Sequence, residues 1–95
     1  MAYLAKVVLH CRNGLHGGLE PLVREFIRDG VTFVAVAGKD AARIEDIIDE
    51  TCVGDGIQSY SMLTSSHPGE SLGEVVAFAE SLSLEFAGPV EVVEF

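Results

Sequence analysis

The chain contains no tryptophan, only two cysteines, and no apolar run of the roughly 20 residues that a membrane-spanning helix needs. Its first residues also lack the basic flank and small-residue cleavage site of a secretory signal. Cys11 and Cys52 are too few for a disulfide framework, and they do not have metal-ligand spacing. We therefore expect a cytoplasmic protein with reduced cysteines. A Cys11–Cys52 disulfide is the alternative.

Positive charge is missing from the second half of the sequence. All six Lys and Arg residues lie within the first 43 positions, whereas residues 44–95 carry eleven carboxylates, and the net charge is −9. Nucleic acid is not expected as a partner, because its phosphates require a basic footprint. We interpret the acidic half as a solvated surface, and the alternative is a docking face for a basic partner protein.

Apolar and β-branched residues, by contrast, are plentiful. The apolar fraction is 48% and the mean hydropathy is +0.34, as expected for a folded core, and 95 residues make one domain. Two nearly continuous apolar runs, Tyr3–His10 and Val31–Ala37, are typical of strands covered on both faces. Weaker patterns predict strands at Tyr60–Thr64 and at Val90–Phe95, and the last of these has the charges of a sheet edge.

Helical spacing separates these predicted strands. The first helix is predicted to stop at Gly30, and the second to begin after an N-cap at Asp40. The third is predicted to open at Ser71, which together with Glu74 has the spacing of a capping box. The order β-α-β-α-β-α-β predicts an α/β fold, a three-layer α/β/α sandwich with a mostly parallel four-stranded sheet. We expect the strand order 2-1-3-4, in a flavodoxin-like or Rossmann-like topology.

Three predicted strand-to-helix loops, 10–18, 38–40 and 64–70, leave the same edge of such a sheet. Ligands of open α/β sheets bind at this edge, where the strand order reverses, here between the first and third strands. Helix N-termini and the charges of Arg12 and Lys39 favour a small anionic or phosphorylated ligand there. The candidate ligand-binding residues are His10, Arg12, Asn13, Gly14, Lys39, Ser65, Ser66 and His67.

One of these loops has the sequence His10-Cys11-x-x-Gly14 between a strand and a helix. It resembles the phosphate-binding loop of cysteine-dependent phosphatases, whose pattern is (H)C-x5-R. The resemblance implies that Cys11 is a thiolate nucleophile. Gly17 stands where that family has its clamping arginine, and Gly18 where a Ser or Thr follows. The alternative function is therefore a minimal or degenerate enzyme of this kind that uses Cys11.

The histidines suggest two further hypotheses. The segment Asn13–His16 resembles the phosphorylated-histidine segment of the phosphocarrier protein HPr, which implies phosphoryl relay at His16, although Gly17 and Gly18 stand near the place of that family's Arg-Pro pair. The three histidines could meet Cys11 around a zinc ion if the strand order holds. They lack helical or C-x-x-C spacing, so we predict no metal and no other cofactor.

The remaining observations favour binding over catalysis. Ser65 and Ser66 do not stand in the G-x-S-x-G pattern of serine hydrolases. A chain of this length also has few residues with which to enclose an active site and exclude water from a reaction. We expect a non-enzymatic binding module that recognises a partner protein or a small anionic ligand through the strand-end loops. A homodimer formed through the edge Val90–Phe95 is a further hypothesis.

Overall fold

Parallel strands alternate with helices along the whole described chain. The computed structural model describes residues 2–54, 56, 59–83 and 86–95. Within these ranges the strands pair into one all-parallel sheet, which confirms the predicted α/β class and parallel sheet. The elements are β1 (Lys6–Cys11), α1 (Leu19–Asp29), β2 (Phe33–Gly38), α2 (Ala41–Val53), β3 (Leu63–His67), α3 (Leu72–Glu80) and β4 (Glu91–Glu94).

The strand order is β3-β2-β1-β4, so the predicted order 2-1-3-4 is wrong. β1 lies between β2 and β4, and β3 lies at the far side of β2. The physical reason is polarity: β3 contains Thr64, Ser65 and Ser66, which suit an edge and not the centre of a sheet. The order therefore reverses between β1 and β4, and the first and third strands do not form a crevice.

Helices pack against both faces of the sheet. One core cluster joins the sheet to α1 and α2 and includes Leu9, Phe26 and Ile44. The other joins the sheet to α3 and includes Phe33 and Val75. Two helices on one face and one on the other follow from right-handed crossovers, because the chain moves from β1 through β2 to β3 and then returns to β4.

The face under α3 is only partly covered. α3 has nine residues, a length of about 13 Å, and it packs mainly over β1 and β2. Apolar side chains of α3 and of the strands on either side of it stay open to solvent: Phe78 of α3 is 39% exposed, Leu63 of β3 49% and Val92 of β4 41%. β4 lies at an edge of the sheet, and the homodimer through this strand stays a prediction.

The helix ends follow local sequence with one exception. α1 stops before Gly30, and Ser71 and Glu74 form both hydrogen bonds of a capping box, as predicted. Asp40 occupies the N-cap position of α2 but its side chain does not cap the helix. Its backbone has a φ of 60°, and its Oδ2 accepts the N–H of Leu15 at 2.9 Å. The carboxylate thus ties the loop after β1 to the start of α2.

The third predicted strand shifts along the chain. The third strand is Leu63–His67 and not Tyr60–Thr64, so Ser65, Ser66 and His67 belong to a strand and not to a loop. α2 ends at Val53, and Asp55 lies outside the described residues. Among the helices that the structure describes, each is too short or too polar to cross a membrane.

The contact between β1 and β2 at their carboxyl ends should tolerate no side chain. Gly38 has a φ of 103°, and an added Cβ would collide with the backbone carbonyl of Cys11. We predict that Gly38→Ala lowers the free energy of unfolding by about 2 kcal/mol or more, measured by urea denaturation. The matched control is Gly73→Ala in α3, where a Cβ meets nothing closer than 4.0 Å. It should raise stability by up to about 1 kcal/mol, and equal losses for both variants would contradict this account.

Candidate functional site

The reversal of strand order brings the carboxyl ends of β1 and β4 side by side. We call this place the β1–β4 rim and define it by His10, Arg12, His16, Glu94 and Phe95. Pairing continues past β4, since the Phe95 N–H donates to the carbonyl oxygen of His10 at 2.9 Å. Glu94 is the register partner of His10, so both side chains leave the sheet on the same face.

A carboxylate of the protein itself occupies the rim. Both oxygens of Glu94 lie 3.0 Å from His10 Nδ1, and Oε1 lies 3.3 Å from Arg12 Nε. The His10 side chain is largely buried, at 17% exposure, whereas that of Arg12 is 70% exposed. The rim therefore already has the chemistry that holds an oxoanion, with an imidazole and a guanidinium directed at a carboxylate.

The loop after β1 lies against the end of β2. The Lys39 N–H donates to the carbonyl oxygen of Cys11 at 2.9 Å, which places Lys39 beside Arg12 at the same edge of the sheet. Gly14 is buried beside the carboxylate of Asp40 and the aliphatic part of Lys39. Asn13 and Lys39 are exposed. Five of the candidates predicted from sequence therefore lie at this edge: His10, Arg12, Asn13, Gly14 and Lys39.

His16 lies on the aromatic ring of Phe95. The two rings are stacked at a centroid distance of 4.0 Å and an angle of 10°, and His16 Nδ1 lies 2.9 Å from the carbonyl oxygen of Gly17. A carbonyl oxygen only accepts, so Nδ1 carries the proton in this contact. The imidazole is exposed, and it closes the side of the rim that faces α1. Phosphoryl relay at His16 stays a prediction.

Cys11 lies inside the core and not in the open loop. Its side chain has no exposed surface, and burial, with smaller contributions from Asp40 and Glu94, raises the pKa of its thiol to about 11. The group is thus protonated at neutral pH, the opposite of an activated nucleophile. Burial also raises the pKa of Cys52, and both cysteines are free thiols. This geometry favours a structural role for Cys11.

The other serine and histidine candidates lie away from the rim. β2 separates β3 from β1 by two strand spacings, about 10 Å, so His67 does not join His10 or His16. Across the described ranges, no group of three or more His, Cys, Asp and Glu side chains is arranged to hold a metal ion. His67 instead contacts Ser65 and Glu70. Ser66 alternates to the opposite face of β3.

The sequence analysis does not identify three residues: Glu94 and Phe95 of the β1–β4 rim, and Glu70 beside His67. The sequence assigns Glu94 and Phe95 only to an edge strand, and nothing local indicates that β4 lies next to β1. Glu70 had a usable signal: Pro68-Gly69 after His67 is a turn pattern that returns the chain toward the histidine. The predicted loop boundary at Thr64 hid this signal, because it put Ser65 and His67 in irregular chain.

The fold places this chain among open α/β domains with an all-parallel sheet. The strand order reverses between β1 and β4, and the rim lies at this reversal. The chain belongs to the family Domain of unknown function (DUF7684), whose model matches residues 6–91. That range runs from the start of β1 to the start of β4. No curated protein and no solved structure matches the chain.

Thiol chemistry tests the role of Cys11 directly. With a pKa of about 11, only about 0.1% of the Cys11 thiol is ionised at pH 8, and the thiolate is the reactive form. We predict that iodoacetamide modifies Cys11 in the folded protein at least 100-fold more slowly than in the chain unfolded in urea. Mass spectrometry of each cysteine peptide measures both rates. Rapid modification of the folded protein, with a midpoint below about pH 8.5, would restore the nucleophile hypothesis.

Proposed function

We propose that this domain is a binding module whose β1–β4 rim recognises an oxoanion, a phosphate or carboxylate group carried by a small ligand or by a partner protein. The observation that carries the proposal is the position of Arg12. Its Nε lies 3.3 Å from Glu94 Oε1, and its side chain is 70% exposed. Within the described part of the chain, its terminal nitrogens make no hydrogen bond. They are therefore free to bind an oxoanion in the bidentate geometry that guanidinium favours.

Neighbouring groups support the same ligand chemistry. Lys39 adds a second positive charge at the same edge, and Gly17 and Gly18 have open space beside them. No side chain caps the start of α1, so its first backbone N–H groups are directed toward this edge without a side-chain acceptor. In a chain with a net charge of −9, positive charge and open N–H groups meet at this edge, which favours approach of an anion here over the acidic surface.

Glu94 limits the affinity that this rim can reach. Its carboxylate pairs with His10 and Arg12, so an incoming anion must displace it or share the guanidinium with it. Weak, exchangeable binding is the expected result. Such binding suits recognition of a group on a larger partner, where other contacts add affinity.

Loss of the two cations should weaken binding of inorganic phosphate. We predict that Arg12→Ala and Lys39→Ala each raise the dissociation constant about tenfold, because a charge-assisted hydrogen bond contributes about 1.5–3 kcal/mol. Amide chemical shifts of the rim during phosphate titration measure the constant. The matched control is Arg24→Ala, because Arg24 has the same 70% exposure and also pairs with a glutamate, Glu20. Equal weakening by all three variants would reject a specific rim site.

Removal of the internal carboxylate should act in the opposite direction. We predict that Glu94→Gln strengthens phosphate binding about fivefold, since a unit charge about 4 Å away contributes about 1 kcal/mol in water. The same titration measures it. Glu91→Gln is the control: Glu91 lies at the other end of β4 and accepts the N–H of Leu4 at 2.8 Å. Unchanged or weaker binding by Glu94→Gln would show that Glu94 does not compete for the site.

A further inference from the structure

Three side chains at the carboxyl end of β3 form a hydrogen-bonded series that the rim does not use. Ser65 Oγ lies 2.8 Å from His67 Nε2, and Glu70 Oε2 lies 2.9 Å from His67 Nδ1. The imidazole is 10% exposed, while Glu70 is 44% exposed. A hydroxyl, an imidazole and a carboxylate in this order and at these distances are the geometry of an activated serine.

The carboxylate determines which nitrogen of His67 carries the proton. An ionised carboxylate only accepts hydrogen bonds, so Nδ1 must donate to Glu70. Nε2 is then left as an acceptor, and the Ser65 hydroxyl donates to it. In this arrangement His67 can take the hydroxyl proton when Ser65 attacks a substrate, and Glu70 stabilises the imidazolium that forms.

The sequence around His67 builds this series locally. Ser65 and His67 are two residues apart in β3, so their side chains leave the sheet on the same face. Their register partners in β2 are the small residues Ala35 and Ala37. Pro68 and Gly69 then form a tight turn in which Gly69 has a φ of 79° and the Glu70 N–H donates to the carbonyl oxygen of His67 at 3.3 Å. Pro followed by a glycine of this conformation is the signature of a type II turn.

Packing holds the imidazole in place. The ring of Phe78 in α3 lies 4.8 Å from the ring of His67, at an angle of 53°. Phe78 also lies beside Phe33 of β2, at a ring distance of 6.4 Å. The histidine is therefore fixed between the sheet and α3, while the partly exposed Ser65 stays open to solvent.

The open edge of β3 supplies a donor for a developing oxyanion. The Leu63 N–H donates to the carbonyl oxygen of Thr32, toward β2, and residues of a parallel strand alternate in the direction of their N–H groups. Ser65 and His67 therefore share the direction of Leu63, and the Ser66 N–H is directed away from β2 at the free edge. The backbone N–H that follows a nucleophilic serine is a common oxyanion donor.

A mostly apolar groove lies beside Leu63, at the start of β3. Its volume is about 570 Å³, and it is lined by Thr32, Ser61, Met62, Leu63 and Phe86. Leu63 precedes Ser65 by two residues, so both side chains lie on the face of β3 that bears α3. An acyl chain bound in this groove would extend from Leu63 along this face toward Ser65.

From this geometry we propose that Ser65 is a nucleophile that hydrolyses esters with an apolar acyl group. Ser65 Oγ bonds to the acyl carbon as its proton moves to His67 Nε2. The alcohol then leaves with that proton, and an acyl-Ser65 ester remains. Water, deprotonated by His67, attacks the ester, and the carboxylic acid leaves as the proton returns to Ser65 Oγ. Glu70 is a positioning residue, because it acts through His67.

The test uses alkyl fluorophosphonates on the full chain, with intact mass and peptide mapping as readout. The phosphorus bonds to Ser65 Oγ, fluoride leaves, and the hydroxyl proton passes to His67. We expect one adduct, on Ser65, which Ser65→Ala abolishes and Ser59→Ala, at an exposed serine elsewhere, does not. No adduct on Ser65 under conditions that fully label trypsin would overturn the proposal.

Two further variants separate positioning from simple folding effects. Glu70→Gln should lower the maximal labelling rate constant on the order of 100-fold without changing the half-saturating concentration, and Glu70→Asp should recover part of the rate. Leu63→Ser, at an exposed groove position, should raise the half-saturating concentration of an octyl probe and leave its maximal rate unchanged. Circular dichroism verifies that each variant is folded. If the Glu70→Gln variant were labelled at the wild-type rate, Glu70 would not position His67, and the proposed series of Ser65, His67 and Glu70 would be wrong.

Discussion

Burial of β1 on both of its faces is the constraint on which the other features depend. Val7, Val8 and Leu9 have no exposed surface, and burial of each such side chain contributes about 1.5–3 kcal/mol. Because side chains alternate along the strand, Val7 and Leu9 pack in the core cluster under α1 and α2, and Val8 packs in the cluster under α3. Because β1 must be central, it needs neighbours at both edges, and the chain provides β2 and then β4. The switch point follows from this requirement.

The polarity of β3 separates the two candidate sites. A strand of threonine and serine residues cannot occupy the centre, so it lies at an edge two strands away from β1. Its histidine is thereby removed from the rim and contacts its own sequence neighbours, Ser65 and Glu70. The single short α3 leaves the adjacent part of the sheet uncovered, and the groove lies there. One topological fact thus accounts for the β1–β4 rim and for the separate hydrogen-bonded series of Ser65, His67 and Glu70.

Features that depend on neighbours in sequence were the predictable ones. The stop at Gly30 and the capping box of Ser71 and Glu74 depend on contacts within one helical turn, and the structure confirms both. Asp40 was placed at the right position with the wrong partner, because its carboxylate accepts the N–H of Leu15, 25 residues away. Glu94 shows the same limit: its partner His10 is 84 residues distant, and periodicity does not record such a pair.

The sequence by itself determined the alternation of strands and helices, the parallel sheet and the gathering of the first two strand-end loops at one edge. These follow from hydrophobic period, turn residues and the handedness of crossovers, which act over short stretches of chain. Only the tertiary structure decided which strands are neighbours. The strand order depends on how much apolar surface each whole strand can bury. This order places Glu94 beside Arg12, buries Cys11 and leaves Ser65 on an edge strand.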